Sequence, residues 1–76
     1  MTELEWMDIF SDNLVEMMKD AGMTQRELAD AAGLSESVVS YYINKQRVPG
    51  LKAIINLADV LNCTTAELID FGDTIE

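Results

Sequence analysis

The sequence has no histidine and a single cysteine, Cys63, among its 76 residues. Without a second cysteine the chain cannot form an internal disulfide or a cysteine metal cluster. Histidine is the commonest general base and metal ligand, and we find no Gly-rich phosphate loop and no nucleophile–base pair. We therefore expect a protein that is not an enzyme and that needs no cofactor and no metal.

Basic residues and long apolar runs are also scarce. Five Lys and Arg oppose 14 Asp and Glu, which gives a formal net charge of −9. No apolar run approaches the roughly 18 residues that a membrane span needs, and the acidic N-terminal segment 1–8 lacks the basic start of a signal peptide. We expect a cytoplasmic protein with no membrane contact, built as one domain over residues 1–76.

The most informative segment, residues 24–50, predicts two short helices joined by a tight turn. Thr24 and Glu27 have the spacing of a capping box. Gly33 is a natural left-handed stop, and Ser35 is a strong N-cap for the next helix. Two helices around a short glycine-containing turn form a helix-turn-helix, here over about residues 24–44.

Similar signals predict three further helices and an all-α, five-helix fold. Capping boxes begin at Thr2 and Thr64, Gly22 ends the first helix, and Pro49-Gly50 opens the fourth. Apolar residues at helical spacing predict the inner faces of the first and fourth helices. The first set is Ile9, Phe10, Leu14, Met17 and Met18, and the second is Leu51, Ile54, Ile55, Ala58 and Leu61.

The second helix of the motif can be oriented by counting about 100° per residue. With Val39 and Tyr42 inward, the outward face is small, polar and aromatic, which suits contact with base edges and phosphates. That face consists of Ser37, Val38, Ser40, Tyr41 and Asn44.

These motifs resemble the phage-repressor type of helix-turn-helix domain, the Xre or lambda-repressor-like family. The matching segments are TQRELA, the AGLS turn, SESVVSYYIN, KQRVPG and LKAIINLADVLNC, in the order and spacing typical of that family. The resemblance covers roughly residues 9 to 70. It implies a compact helical bundle that places the helix after Ser35 in the major groove of DNA.

Two departures from the family pattern have structural consequences. Many members carry Arg and Glu, often as an internal ion pair, where this chain has Met18 and Ile43, and we expect these two side chains to touch. Many members also have Gly where this chain has Lys45. We expect Asn44 or Lys45 to adopt a left-handed conformation there, and Asn does so more readily.

Two sets of residues are the candidate DNA site. The base-contacting set is Glu36, Ser37, Val38 and Tyr41. The backbone-contacting set is Gln25, which resembles the family's phosphate-contacting glutamine, with Ser40, Asn44, Lys45, Arg47 and Lys52. A carboxylate can accept from a cytosine amine, and a valine can meet a thymine methyl, so Glu36 and Val38 fit base reading.

The charge distribution leaves two functions open. Residues 24–52 hold four of the five basic residues, against three acids, which favours a regulator that represses transcription as a homodimer on a palindromic duplex operator. The acidic remainder of the chain favours the alternative. In that reading the same fold binds a protein partner, as an antitoxin or antirepressor would.

Overall fold

The computed structural model describes residues 2–69, and within them every side chain except those of Glu3 and Leu4. These residues form five helices and no strand, which confirms the predicted all-α class. The helices are α1 (Glu3–Ala21), α2 (Gln25–Ala32), α3 (Glu36–Ile43), α4 (Leu51–Val60) and α5 (Thr65–Leu68). The part of the domain prediction that concerns residues 70–76 lies outside the described range.

The helices begin and end where the capping residues predict. Thr2, Thr24 and Thr64 each accept from the backbone N–H three residues on, and the glutamate at that position accepts from the threonine N–H. These hydrogen bonds from Thr2 lower the pKa of the Glu5 carboxyl. Gly22 and Gly33 have φ of 68° and 72°, the left-handed conformation that ends α1 and α2.

One apolar core joins all five helices. α2 packs on α3 and α4, while α1 packs on α3 and α5 and α4 packs on α5. Phe10 lies at its centre, stacked on Trp6 and edge-on to Tyr42, with ring centroids 5.5 and 6.1 Å away. The buried Ser11 hydroxyl donates to the Tyr42 carbonyl, and the Asn13 amide donates to the Leu68 carbonyl at 2.9 Å. These two bonds fix α1 against α3 and α5.

The predicted inner face of α4 was partly wrong. Ile54, Ala58 and Leu61 are buried, but Leu51 and Ile55 are 73% and 48% exposed. Leu57 completes the buried stripe instead and is fully buried. The helix has apolar residues on more than half of its circumference, and contact with α2 and α5 decides which of them face the core.

Met18 and Ile43 line the same open, mainly apolar cleft of about 280 Å³ between α1, α2 and α3. Met18 is buried, and Ile43 is half-buried against the core. The two apolar residues therefore occupy one region of the molecule, and their direct contact stays a prediction.

Lys45, not Asn44, adopts the left-handed conformation after α3, with φ of 62°. The Lys45 N–H donates to the Tyr42 carbonyl at 3.3 Å, and the Gln46 N–H donates to the Tyr41 carbonyl at 2.8 Å. This pair of bonds is the Schellman pattern, which needs its left-handed residue one place after the cap residue. Asn44 is that cap residue and keeps φ at −91°.

Candidate nucleic-acid interface

The N-terminal parts of α2 and α3 border an open, polar cleft of about 320 Å³. Gln25 stands at the first position of α2, and the remaining lining residues come from α3. The cleft is lined by Gln25, Glu36, Ser37, Ser40 and Tyr41. All five belong to the sites predicted from the sequence, and the fold brings them together on one surface.

Burial of one face of α3 exposes the other. Val39 and Tyr42 are buried in the core, and Ser37 and Tyr41 on the opposite side are exposed. Val38 is half-buried and packs against the core. The valine therefore presents only part of its side chain to a partner, whereas Ser37 and Tyr41 present polar groups fully on the outer face.

Ser40 and Asn44 form a local pair on the outer edge of α3. The Asn44 amide donates to the Ser40 carbonyl at 2.9 Å and to the Ser40 hydroxyl oxygen at 3.1 Å. Because Ser40 accepts in this bond, its own O–H proton is free to donate to an anion. The pair presents one oriented hydroxyl donor beside the cleft.

Lys45 faces α1 across the fold. Its ammonium lies 3.8 Å from a carboxylate oxygen of Asp8 and 3.8 Å from one of Asp12. The two acids are four residues apart, so they lie on one face of α1. The sequence predicted Lys45 as a contact to the DNA backbone and gave no role to the acids. Their spacing placed them on one face, but only the fold brings that face to the end of α3.

The other two basic candidates are exposed. Lys52 lies in the first turn of α4, and the Arg47 guanidinium carbon lies 4.8 Å from the centre of the Tyr41 ring. Residues 37–58 contain no Asp or Glu, so the surface that includes these two bases has no acid of its own.

Nothing in the described residues gathers a metal-binding or nucleophilic group. No three His, Cys, Asp or Glu side chains among residues 2–69 lie close enough together to hold a metal ion. Partial burial and the nearby Glu67 carboxylate raise the pKa of the Cys63 thiol, so Cys63 is protonated at neutral pH. None of the helices described here is both long and apolar enough to cross a lipid bilayer.

Known proteins share this architecture. The family model described as helix-turn-helix matches residues 14–68. The chain is 30% identical over 61 residues to an uncharacterised HTH-type transcriptional regulator, YqaE, of Bacillus subtilis, and it spans about half of that relative's length (80% of this chain, 53% of the relative). It is also similar to the solution structure of the SOS-response transcriptional repressor LexA from Eubacterium rectale. That similarity has a TM-score of 0.84 at 25% identity and covers all of this chain and 81% of the other.

The family match extends over most of the chain and includes every element that borders the cleft. It begins within α1, and it ends at the last residue of α5. The chain therefore belongs to the Xre-like helix-turn-helix family of DNA-binding transcription regulators.

Proposed function

We propose that this chain binds duplex DNA by placing α3 in the major groove, and that it represses transcription as a homodimer on a palindromic operator. The observation that carries the proposal is the shared cleft at the start of α2 and α3, where five of the predicted site residues meet. A major groove about 12 Å wide admits one helix. The outer face of α3 carries no bulky side chain except Tyr41 that would hold it away from the bases.

The two sets of residues have separate chemical tasks. Ser37 and Tyr41, with Glu36 and the accessible part of Val38, stand on the face that would meet base edges. The set for the sugar–phosphate backbone is Gln25, the Ser40–Asn44 pair, Arg47 and Lys52. Phosphate contacts fix the register of the protein on the duplex, whereas contacts to base edges set sequence preference.

Selection of bound sequences from random duplex DNA at low salt tests the proposal. We expect enrichment of an inverted repeat whose half-sites lie about one helical turn apart. The dissociation constant of the enriched sequence should be several orders of magnitude below that of a scrambled duplex. If no sequence is enriched and no duplex is bound, the acidic surface of the chain favours the alternative, a module that binds a protein partner.

An exposed apolar surface beside the basic residues supports self-association. Leu51 and Ile55 lie one helical turn apart on α4, and Val48 precedes them in the loop. Two chains of net charge −9 repel each other, but residues 37–58 carry no acid and so offer a face with less repulsion. Three side chains bury much less than the roughly 800 Å² per partner of a standard interface. We therefore expect a dimer that is weak without DNA.

Leu51→Ser is expected to weaken binding to the complete operator by about tenfold, because it removes apolar area that DNA-bound copies share. Its affinity for a duplex with one half-site should be unchanged. Leu51→Met, which keeps the apolar area, is the matched control and should bind both duplexes as the natural chain does. Equal loss on one and two half-sites would place Leu51 against DNA and not against a second copy.

The contact between Lys45 and α1 makes a second prediction. Exposed ion pairs are worth at most about 1 kcal/mol, so a phosphate can compete for the Lys45 ammonium. Asp8→Asn with Asp12→Asn removes the competitors, and we expect affinity for duplex DNA to rise several-fold. The measurement is a titration of labelled duplex at two salt concentrations.

A control on the same helix separates this local effect from net charge. Glu16→Gln with Asp20→Asn removes the same two charges from α1 without touching Lys45, and it should raise the affinity less. Adding Lys45→Ala to the Asp8/Asp12 double variant should abolish the difference between the two pairs. If both pairs strengthen binding equally, Lys45 contributes nothing to DNA contact.

A further inference from the structure

Arg47 and Tyr41 form a single unit at the edge of the cleft. The guanidinium carbon lies 4.8 Å from the ring centroid, within the range of a cation–π contact. Both residues are exposed, and Tyr41 also forms one wall of the cleft between α2 and α3. Sequence patterns assigned the two residues separate tasks, with Tyr41 reading bases and Arg47 holding the backbone.

We propose that Arg47 is a specificity-determining residue that acts by positioning the Tyr41 ring against the bases. This inference rests on the proposed docking of α3 in the major groove. In it, Arg47 contributes both a positive charge for the phosphate backbone and a rigid support for the residue that reads sequence.

The physical basis is the freedom of an exposed aromatic side chain. Tyr41 is 39% exposed, and no hydrogen bond within the described residues orients its ring. A guanidinium stacked on one face restricts the side-chain torsions before DNA arrives. A ring held in one place tolerates fewer base pairs opposite it, since it cannot move to accommodate a mismatched edge. Loss of the stack should therefore relax sequence preference at the positions that Tyr41 contacts.

The guanidinium can perform both tasks at once. Its planar face covers the ring, while its N–H groups point outward in the plane and remain able to donate to a phosphate oxygen. Lysine carries the same charge on a flexible stem and lacks the planar group that stacks on a ring. Arg47→Lys thus separates the electrostatic task from the positioning task.

The experiment compares binding of the selected operator with binding of duplexes that carry single base-pair changes. We expect Arg47→Lys to keep the slope of log affinity against log salt, because the charge is kept. Discrimination should fall about two- to fivefold, the size of an exposed cation–π contact. It should fall at the base pairs where Tyr41→Leu also relaxes preference and not at those read by Ser37. Lys52→Ala is the matched control, and it should lower the slope by about 0.9 per phosphate contact and leave discrimination intact.

A double-mutant cycle decides whether Arg47 acts through the ring. Tyr41→Phe keeps the ring and should keep the effect of Arg47→Lys on discrimination. Tyr41→Leu should abolish that effect. If Arg47→Lys leaves discrimination unchanged, or changes it equally in the Tyr41→Leu background, the positioning role is wrong.

Proton NMR of the free protein distinguishes this failure from failure of the proposed function. The Arg47 side-chain methylene protons should be shifted upfield by the Tyr41 ring and should lose that shift in Tyr41→Leu. If the shift is absent while operator DNA is bound, the stack is wrong and DNA binding stands. If the shift is present and the natural chain binds no duplex, the proposed function and this inference both fall.

Discussion

Replacing Leu57 by alanine is expected to destabilise the fold by about 3 kcal/mol, since burial of leucine in a packed core is worth 2–5 kcal/mol by truncation. Leu57 is fully buried in the core that α4 shares with the other helices. A domain of this length has a total stability of about 4–11 kcal/mol. One truncated methyl-bearing side chain therefore removes a large share of the free energy of unfolding, and DNA binding near the melting temperature should be lost with it.

Leu51 provides the matched control on the same helix. Leu51→Ala makes the same chemical change with the same gain in helix propensity, but the leucine is 73% exposed. Its free energy of unfolding should change by less than about 0.5 kcal/mol. Urea denaturation followed by far-UV circular dichroism measures both variants. Equal destabilisation of the two would mean that α4 packs in the register predicted from the sequence, with Leu51 inside.

The contrast between these leucines shows which parts of the fold are readable from the sequence. Helix boundaries depend on contacts within four residues, so Thr24, Gly33 and Ser35 predicted the two helices of the motif to within one residue. The buried face of a short helix depends on its neighbours. In α4 both the Leu51–Ile55 stripe and the Ile54–Leu57 stripe have helical spacing, and only packing distinguishes them.

The same distinction applies to the candidate site. The outward face of α3 follows from helical geometry, and Ser37 and Tyr41 are exposed as predicted. The partners of Lys45 and Arg47 do not follow, because each depends on where the chain runs after α3. A left-handed Lys45 directs that chain, and it brings the ammonium to Asp8 and Asp12 on α1. The guanidinium of Arg47 meets a ring one helix end away.

These partners set a quantitative expectation for the salt dependence of DNA binding. Each neutralised phosphate contributes about −0.9 to the slope of log affinity against log salt concentration. Gln25, Ser40 and Asn44 carry no charge and release no counterion. With Lys45 engaged by α1, each protomer offers Arg47 and Lys52. A dimer should then give a slope of about −3.6, roughly −0.9 for each of its four contacts.

A fourfold rise in salt, from 50 to 200 mM, should therefore weaken binding by a factor on the order of 10². If Lys45 leaves α1 to contact a phosphate, six contacts give a slope of about −5.4 and a loss on the order of 10³. Titrations of the selected operator across this range separate the two cases. The Asp8→Asn, Asp12→Asn variant should move the slope from the first value toward the second, because it frees the Lys45 ammonium. A slope near zero would contradict both cases, since a helix docked against phosphates with two exposed bases cannot bind without releasing counterions.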